Sequence, residues 1–340
     1  MSNNYEVRPA EESAGPNSRV LLEVEALTVS FANEDGERFR VLEDVSFSVP
    51  RGRTIGLVGE SGCGKSVSAM SIMKLLPSPP SFVDSGRILF EGEDLLTLSD
   101  SRSRDIRGDR IGMIFQEPMT SLNPTFSVEF QLSEVFRIHR KMNKAEAFEK
   151  GVELLKMIGV SAPEKRMRQY PHQLSGGLRQ RIMIAMALAC RPDLLIADEP
   201  TTALDVTIQA QILDLLAKLQ EDLDMSILMI THDLGVVAEF CKDVFIMYAG
   251  RIVEHAPVKE LFEQPAHPYT KGLLASIPRL DVKREWLPAI SGVVPPPAQR
   301  AGGCYFADRC ERAAERCRHD KPVLESVSPG HFTACWYPYR

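Results

Sequence analysis

The chain has 340 residues, of which 44% are hydrophobic and 25% charged, and its formal net charge is −6. This composition is typical of a globular protein, and the negative charge gives no general electrostatic reason to bind nucleic acid. The longest apolar run, residues 182–190, is far shorter than the roughly 18 to 20 residues of a membrane-spanning helix and predicts a buried helix instead. We expect one large domain with appended segments.

The chain begins with a polar stretch, residues 1–19, rich in Asn, Glu, Ser and Pro. It lacks the basic-then-apolar layout of a secretory signal and predicts a flexible leader. The following segments LLEVEALTVSF (residues 21–31) and VLEDVSFSV (residues 41–49) alternate apolar and polar residues. They predict two half-buried strands at an antiparallel sheet edge.

Residues 54–76 have the pattern of an α/β unit, in which TIGLVG (54–59) is a strand and KSVSAMSIMKLL (65–76) a helix. Further strand-like runs are RIGMIFQ, DLLIADEP, SILMITHD and DVFIMYAGRIVE, with helical patterns between some of them. A largely parallel sheet covered by helices is expected. Helical patterns dominate residues 118–191 and indicate an inserted helical subdomain. Prolines and cysteines dominate after about residue 254 and indicate an appended C-terminal region.

A glycine-rich segment lies between the predicted strand and helix. Its sequence GESGCGKS, residues 59–66, fits the pattern G-x-x-x-x-G-K-[ST]. In that pattern the backbone N–H groups wrap phosphates, the lysine (Lys65) neutralises the β- and γ-phosphate oxygens, and the hydroxyl of Ser66 reaches Mg²⁺. The helix N-terminus adds its positive dipole end. A nucleotide site is therefore predicted here.

A pair of carboxylates, Asp198 and Glu199, follows the apolar run LLIA. A carboxylate at the end of a buried strand can hold Mg²⁺, and its neighbour can polarise an attacking water. The alternative is a solvated acidic pair, which is common at strand ends. The presence of a phosphate-binding loop favours the catalytic interpretation.

The segment LSGGLRQ, residues 174–180, resembles the signature of the ABC ATPase family. In that family the serine and glycine backbone of one subunit caps the γ-phosphate held by the other subunit, so the resemblance implies that ATP binds between two ATPase subunits. Leu178 stands where many members carry glutamine. Taken alone, LSGG could be only a helix cap.

Other motifs follow in the order of that family. Gln116 resembles the Q-loop glutamine that contacts Mg²⁺ and water, residues 203–205 (ALD) resemble the D-loop, and His232 resembles the switch histidine that contacts the γ-phosphate. Phe31, some 34 residues before Lys65, is a candidate to stack on adenine or, equally, a core phenylalanine. The resemblance covers residues 20–255 and implies a P-loop ABC ATPase domain.

The expected site residues follow from these motifs. Those expected to be catalytic are Glu199, His232 and Gln116, with Ser66 and Gln116 as Mg²⁺ ligands. Those expected to bind nucleotide are Gly59, Ser61, Gly62, Cys63, Gly64, Lys65, Ser66, Asp198, Phe31, Ser175, Gly176, Gly177 and Asp205.

The C-terminal region, residues 256–340, carries HPYTKGLLASIPRL, ISGVVPPP and GCYFADRC and resembles the extension of oligopeptide and dipeptide importer ATPases. The resemblance implies a peripheral subunit at the cytoplasmic face of the inner membrane. Its partners would be two permeases, a second ATPase subunit, which could be identical or different, and an external solute-binding protein. Import of nickel or another small solute, an ABC ATPase without a permease, and a pure binding module are the alternatives.

Four cysteines lie in this region, with five, six and seventeen residues between successive members. They are Cys304, Cys310, Cys317 and Cys335. Their spacing alone names no metal. Because some relatives hold a [4Fe–4S] cluster in this extension, the resemblance implies a structural cluster here, with zinc and unliganded buried thiols as alternatives.

Overall fold

The computed structural model describes residues 20–117, 121–202, 205–277, 289–300 and 302–339, so the predicted leader lies outside the described residues. The strands are β1 (Val20–Ala32), β2 (Arg38–Pro50), β3 (Thr54–Val58), β4 (Ser81–Phe90), β5 (Glu93–Asp94), β6 (Ile111–Ile114), β7 (Leu194–Asp198), β8 (Ser226–Thr231), β9 (Asp243–Tyr248), β10 (Arg251–Pro257), β11 (Glu325–Ser328) and β12 (His331–Thr333). The helices are α1 (Lys65–Ile72), α2 (Asp100–Ile106), α3 (Val128–Arg140), α4 (Lys144–Met157), α5 (Pro163–Met167), α6 (Gly176–Leu188), α7 (Val206–Leu223), α8 (Leu234–Phe240), α9 (Val258–Glu263), α10 (Pro268–Ala275) and α11 (Glu315–His319).

The two N-terminal strands form an antiparallel pair, as their alternating pattern predicts. They belong to a four-stranded sheet of order β2-β1-β4-β5. Alternate residues of β1, such as Leu22 and Val24, are buried, whereas Glu25 lies on the other side of the strand and pairs with Arg87 of β4. This sheet is the predicted antiparallel edge of the fold.

The central sheet has eight strands in the order β11-β12-β10-β9-β3-β8-β7-β6. Strands β9, β3, β8, β7 and β6 are parallel neighbours, and β3, β6, β7 and β8 are buried along their whole length. Apolar runs of this kind are typical of parallel strands that helices cover on both faces. The predicted α/β fold with a mixed sheet is confirmed.

The segment DVFIMYAGRIVE forms two strands of this sheet. β9 runs to Tyr248 and β10 returns antiparallel from Arg251. The chain reverses at Ala249 and Gly250, both of which have positive φ. Apolar residues continue through the turn, so the pattern alone did not show the reversal.

Residues on opposite faces of β8 enter two different hydrophobic clusters. Ile227 and Met229 pack into one cluster, and Leu228 and Ile230 into the other. The first cluster includes the buried face of α6, and the second includes α1 and the antiparallel sheet. The apolar run of residues 182–190 is therefore the buried part of a helix, as predicted, followed by a short turn.

Helices α3 to α6 lie between β6 and β7 in the chain, in the region where helical patterns dominate the sequence. They pack mainly on one another, with Leu132, Leu155 and Met167 fully buried among them. None of the helices in the part of the chain that the structure describes is long and apolar enough to span a membrane.

The C-terminal region adds strands to the central sheet. β12 pairs antiparallel with β10, and β11 pairs with β12 at the sheet edge. Glu254 of β10 is fully buried and accepts hydrogen bonds from the backbone N–H groups of Ala266 (2.7 Å) and His267 (2.9 Å). Its carboxylate also contacts the ring of His331 in β12, at 2.7 Å. The region is thus attached to the sheet by both backbone and side chains.

Candidate nucleotide site

The glycine-rich loop connects the buried strand β3 to α1, as predicted. A Cβ atom at Gly59 would lie 2.2 Å from the carbonyl oxygen of Met247, and one at Gly64 would lie 2.6 Å from a methyl group of Leu42. Gly64 also has a φ of 113°, which side-chain-bearing residues rarely adopt. The loop therefore passes so close to β9 and β2 that both glycines are required.

Lys65 lies inside the curve of this loop. Its Nζ donates hydrogen bonds to the carbonyl oxygens of Gly59 (2.8 Å) and Glu60 (3.1 Å), and the residue is only 5% exposed. No side chain caps the N-terminus of α1, which begins at Lys65. Backbone N–H groups and an ammonium group thus meet in one place, which is the arrangement that binds phosphates.

Asp198 and Ser66 provide oxygen atoms next to this loop. Asp198 ends β7 and is 4% exposed, and its Oδ1 atom has no hydrogen-bond partner among the described residues. Burial raises the pKa of Asp198, a hydrogen bond from Ser66 opposes the rise, and repulsion from Glu199 adds to it. Mg²⁺ prefers oxygen ligands, including carboxylates, so an unpartnered carboxylate oxygen beside a hydroxyl fits this ion.

Glu199 lies at the centre of a hydrogen-bonded group of side chains. Gln116 Nε2 donates to Glu199 Oε2 at 2.9 Å, and the hydroxyl of Thr202 donates to the same oxygen at 2.9 Å. The other carboxylate oxygen, Oε1, lies 3.2 Å from Nδ1 of His232. Gln116, Glu199 and His232 come from three separate strand ends, so the fold brings together the three residues expected to be catalytic.

The backbone of Glu199 is held in an unusual conformation. Its φ is 48°, in the left-handed region, which costs a residue with a side chain about 1 to 2 kcal/mol. Its N–H donates to the carbonyl of Ile230 (2.8 Å), and its carbonyl accepts from the N–H of Thr202 (3.1 Å). The sheet and the following turn therefore impose the conformation that directs this carboxylate towards Gln116 and His232.

The pKa of Glu199 is lowered, although the carboxylate is largely buried. Burial raises the pKa, but hydrogen bonds from His232 and Thr202 together with the charges of His232 and Lys65 outweigh it. The carboxylate is consequently ionised at neutral pH. An ionised carboxylate beside a bound phosphate can orient a water molecule and accept its proton.

The predicted signature lies at the start of α6. Ser175 precedes the helix in an extended conformation, and its side chain does not cap the helix. Gln180, further along α6, is buried and donates from its side-chain nitrogen to the carbonyl of Pro200. Because Pro200 directly follows Glu199, the signature helix is tied to the segment that carries the carboxylate.

Some expected site residues lie apart from this group. A Cβ atom at Gly177 would meet the side chain of Ile208 in α7, at 3.3 Å, and Asp205 caps α7 by accepting from the N–H of Ile208 at 2.9 Å. Phe31 is half-buried in β1, opposite Phe39 and Ser81. Residues 203 and 204 of the expected D-loop lie outside the described residues.

Three residues that contact the site were not expected from the sequence. Thr202 could have been suspected from its place three positions after Glu199, where a turn would bring its hydroxyl back to the carboxylate. Tyr269 and Arg309, which contact Glu60, lie more than two hundred residues from it and carry no local signal.

A glycine-rich phosphate loop, a carboxylate pair at the end of β7 and a histidine after β8, on a mixed sheet, define an ABC ATPase that binds ATP and Mg²⁺. The family model "ABC transporter" matches residues 42–202, and the model "Oligopeptide/dipeptide transporter, C-terminal region" matches residues 253–317. The chain belongs to the ATP-binding subunits of the oligopeptide/dipeptide ABC transporter family.

Curated relatives match along almost the whole chain. A probable peptide ABC transporter ATP-binding protein of Sinorhizobium fredii is 51% identical, with 95% of this chain and 96% of the relative covered. The oligopeptide transport ATP-binding protein OppD of Bacillus subtilis is 51% identical over 93% of this chain and 88% of its own. The dipeptide transport ATP-binding protein DppD of Escherichia coli is 46% identical, with 94% and 97% covered.

Solved structures share the fold of the ATPase region. A dimeric ATP-binding cassette in a post-hydrolysis state, bound to ADP and Pi, has a TM-score of 0.62 and 28% identity, covering 70% of this chain and 98% of its own. The protein cbiO1 from Clostridium perfringens, part of the ABC transporter complex cbiONQ, has a TM-score of 0.59 and 30% identity, covering 72% of this chain and 91% of its own.

The prediction of an iron–sulfur cluster is wrong. All four C-terminal cysteines are described and line one pocket, but the described residues contain no group of three or more His, Cys, Asp or Glu placed to hold a metal ion. The names of the relatives mention no cluster either. Burial raises the pKa of Cys304 and of Cys335 to about 11, so without a bound metal these thiols keep their protons at neutral pH.

Proposed function

We propose that this chain hydrolyses ATP to energise an ABC importer of oligopeptides or dipeptides. The observation that carries the ATPase activity is the position of Glu199, whose ionised carboxylate is held between His232 and Gln116 beside the phosphate-binding loop. Relatives about half identical to this chain are named as peptide or dipeptide transport proteins, which supports peptides as the substrate class.

The phosphates of ATP would lie in the loop of residues 59–66. Lys65 would neutralise the β- and γ-phosphate oxygens, and Ser66 with Asp198 and Gln116 would hold the magnesium ion. When bound, Mg²⁺ neutralises charge that develops on the phosphate oxygens. Phe31 would stack on the adenine ring.

Glu199 would act as the general base. Its carboxylate accepts a proton from the attacking water, and its hydrogen bonds to His232 and Thr202 hold it in position. His232, whose side chain is largely exposed, would contact the γ-phosphate. This constellation favours hydrolysis over a role restricted to nucleotide binding.

A second ATPase subunit would complete the site. Ser175, Gly176 and Gly177 stand at the exposed start of α6 and would contact the nucleotide of that partner, with Asp205 near the interface. Closure over two ATP molecules would move two membrane permeases that receive solute from an external binding protein. The chain would then lie on the cytoplasmic face of the membrane, with residues 20–255 as the ATPase domain, residues 118–191 as its helical subdomain and residues 256–340 as an extension.

The test is uptake by vesicles that contain the chain with its permeases and binding protein. We expect ATP-dependent uptake of labelled di- or oligopeptides, lost in Lys65→Ala, which removes the charge at the phosphates. The matched control is Lys259→Ala, at an exposed position of α9. Uptake of nickel instead of peptides would support the alternative cargo, and ATP hydrolysis without permease association would support an ABC ATPase that works alone.

A further inference from the structure

Glu60, the second residue of the phosphate-binding loop, is held from two directions by the C-terminal region. The guanidinium group of Arg309 forms a two-pronged ion pair with its carboxylate, with Nη1 at 2.7 Å from Oε2 and Nη2 at 2.9 Å from Oε1. The hydroxyl of Tyr269 accepts a hydrogen bond from the backbone N–H of Glu60 at 2.9 Å. Both the side chain and the backbone of one loop residue are therefore fixed by the same distant region.

The residues that make these contacts are themselves rigidly packed. Tyr269 is fully buried, and its ring lies 4.7 Å from that of Tyr248 in β9 and 5.4 Å from that of Phe306. The side chain of Arg309 is 5% exposed and also donates to the Tyr248 hydroxyl at 3.3 Å. The Glu60 side chain is 31% exposed, so water screens this pair in part, but less than it screens a pair in which both groups lie on the surface.

The third group on Glu60 is Lys65 itself. Its ammonium donates a hydrogen bond to the carbonyl oxygen of Glu60, whereas the hydroxyl of Tyr269 accepts one from the backbone N–H of the same residue. Rotation of the peptide groups on either side of Glu60 would break one of these bonds. The conformation that places the lysine in the loop is therefore coupled to Tyr269 and Arg309.

We propose that Tyr269 and Arg309 are positioning residues for ATP binding, through which the C-terminal region holds the phosphate-binding loop in its nucleotide-binding conformation. This inference rests on the proposed function. Neither residue lies in the ATPase motifs. Their effect is exerted through Glu60, and it makes the affinity for Mg-ATP a property of both regions of the chain.

Other contacts attach the C-terminal region without reaching the loop. Lys321 pairs with Glu43 of β2 at 2.5 Å, and β12 pairs with β10. An exposed ion pair joins Arg318 to Asp308 within the region itself, at 3.0 Å. Attachment of the region therefore does not depend on Arg309 alone, so loss of its contact to Glu60 is expected to change the loop more than the fold.

The test compares Mg-ATP binding by the full chain and its variants, measured by calorimetry. Tyr269→Phe removes one hydroxyl and leaves the ring in place, and Arg309→Gln removes the charge. We expect each to weaken binding about 10-fold, within the range usual for coupling between distant sites. The KM for ATP should rise with kcat unchanged, because the lost interaction acts on binding. Arg318→Gln, in the same region but away from the loop, should bind as the wild type does.

A double-mutant cycle tests the route. If Arg309 acts through Glu60, the double variant Glu60→Gln/Arg309→Gln should bind Mg-ATP no more weakly than either single variant. Additive losses would overturn the route through Glu60. Tyr269→Phe keeps the proposal testable if variants of Arg309 do not fold.

The outcomes separate this inference from the proposed function. Wild-type affinity in both Tyr269→Phe and Arg309→Gln, accompanied only by a lower melting temperature, would show that the contacts serve folding alone and would overturn the inference. A wild-type chain that bound no Mg-ATP at all would instead contradict the ATPase assignment.

Discussion

The hydroxyl of Thr202 is one of the groups that keep Glu199 ionised. It donates to Oε2 of the carboxylate, the oxygen that also accepts from Gln116. Burial alone would raise the pKa of Glu199, and the net shift is downward because the hydrogen bonds from His232 and Thr202 and the charges of His232 and Lys65 outweigh it. The readiness of the carboxylate to take a proton thus depends on a residue outside the recognised motifs.

Thr202→Val should move the acid limb of the pH–kcat profile to higher pH. Loss of the donor raises the pKa of Glu199, so its carboxylate is protonated, and unable to act as a base, at a pH where the wild type still works. The same bonds stabilise the fold above the usual carboxyl pKa of 4.5, and this contribution is lost as the pH falls through the lowered pKa of the folded protein. Steady-state ATPase rates measured from below pH 4.5, where the wild-type acid limb lies, up to pH 8 would check the shift.

The control is Thr207→Val, which removes a hydroxyl from an exposed position of α7. Its pH profile should match that of the wild type. An unchanged acid limb in Thr202→Val would mean that Glu199 is not the group that titrates in this limb.

At the residue scale, short motifs indicated residues that the fold brings together. Gln116, Glu199 and His232 were each expected from short patterns. The fold places Gln116 and His232 within hydrogen-bond distance of the carboxylate of Glu199. Tyr269 and Arg309 could not be found this way, because a contact between residues two hundred positions apart leaves no local pattern in one sequence.

The pairing of β12 with β10 depends on a buried carboxylate. Glu254 is fully buried and has hydrogen-bond partners in two separate segments, the turn at residues 266–267 and His331 of β12. If the carboxylate is removed, the groups that donate to it stay buried without a partner. The free-energy cost of these unpaired groups is larger than the net stabilisation that the original hydrogen bonds provide.

Glu254→Ala should lower the free energy of unfolding by about 3 to 5 kcal/mol, because two buried backbone N–H groups and the ring of His331 lose their common partner and each unsatisfied buried group costs about 1 to 3 kcal/mol. Urea denaturation measured by circular dichroism would show it. Glu263→Ala, at an exposed position of α9, should change stability by less than about 0.5 kcal/mol. A similarly small effect for Glu254→Ala would mean that the pairing of β12 with β10 contributes little to global stability.

At the element scale, long strands and helices with a clear sequence pattern could be predicted. Short strands whose pairing partner lies far away in the sequence could not. The alternating runs of β1 and β2 and the apolar runs of β3, β7 and β8 indicated their type directly. β12, by contrast, has three residues, and its partner β10 lies over seventy positions earlier. Its hydrogen bonds come from tertiary packing, not from a pattern of its own.

Across the whole molecule, hydrolysis should control how long a closed pair of ATPase subunits persists. Glu199→Gln keeps the shape of the side chain but removes its ability to accept a proton. We expect ATP turnover by the purified complex to fall by orders of magnitude while ATP stays bound in a closed dimer. Turnover assays, with gel filtration to detect retained ATP, would measure both effects.

The control for this substitution is Glu221→Gln, an exposed change near the end of α7. It should leave turnover unchanged. Normal turnover in Glu199→Gln would contradict the assignment of this residue as the base, and loss of ATP binding would indicate that the substitution damages the site more widely.

The contact between Arg309 and Glu60 joins residues 249 positions apart. A contact of this sequence separation forms only after the entropy of closing a long loop has been lost, so it belongs to the slow part of folding. Local helices and the β9–β10 hairpin can form earlier. A refolding chain should therefore regain its secondary structure before its full affinity for ATP, and nucleotide would stabilise only the late, completed form.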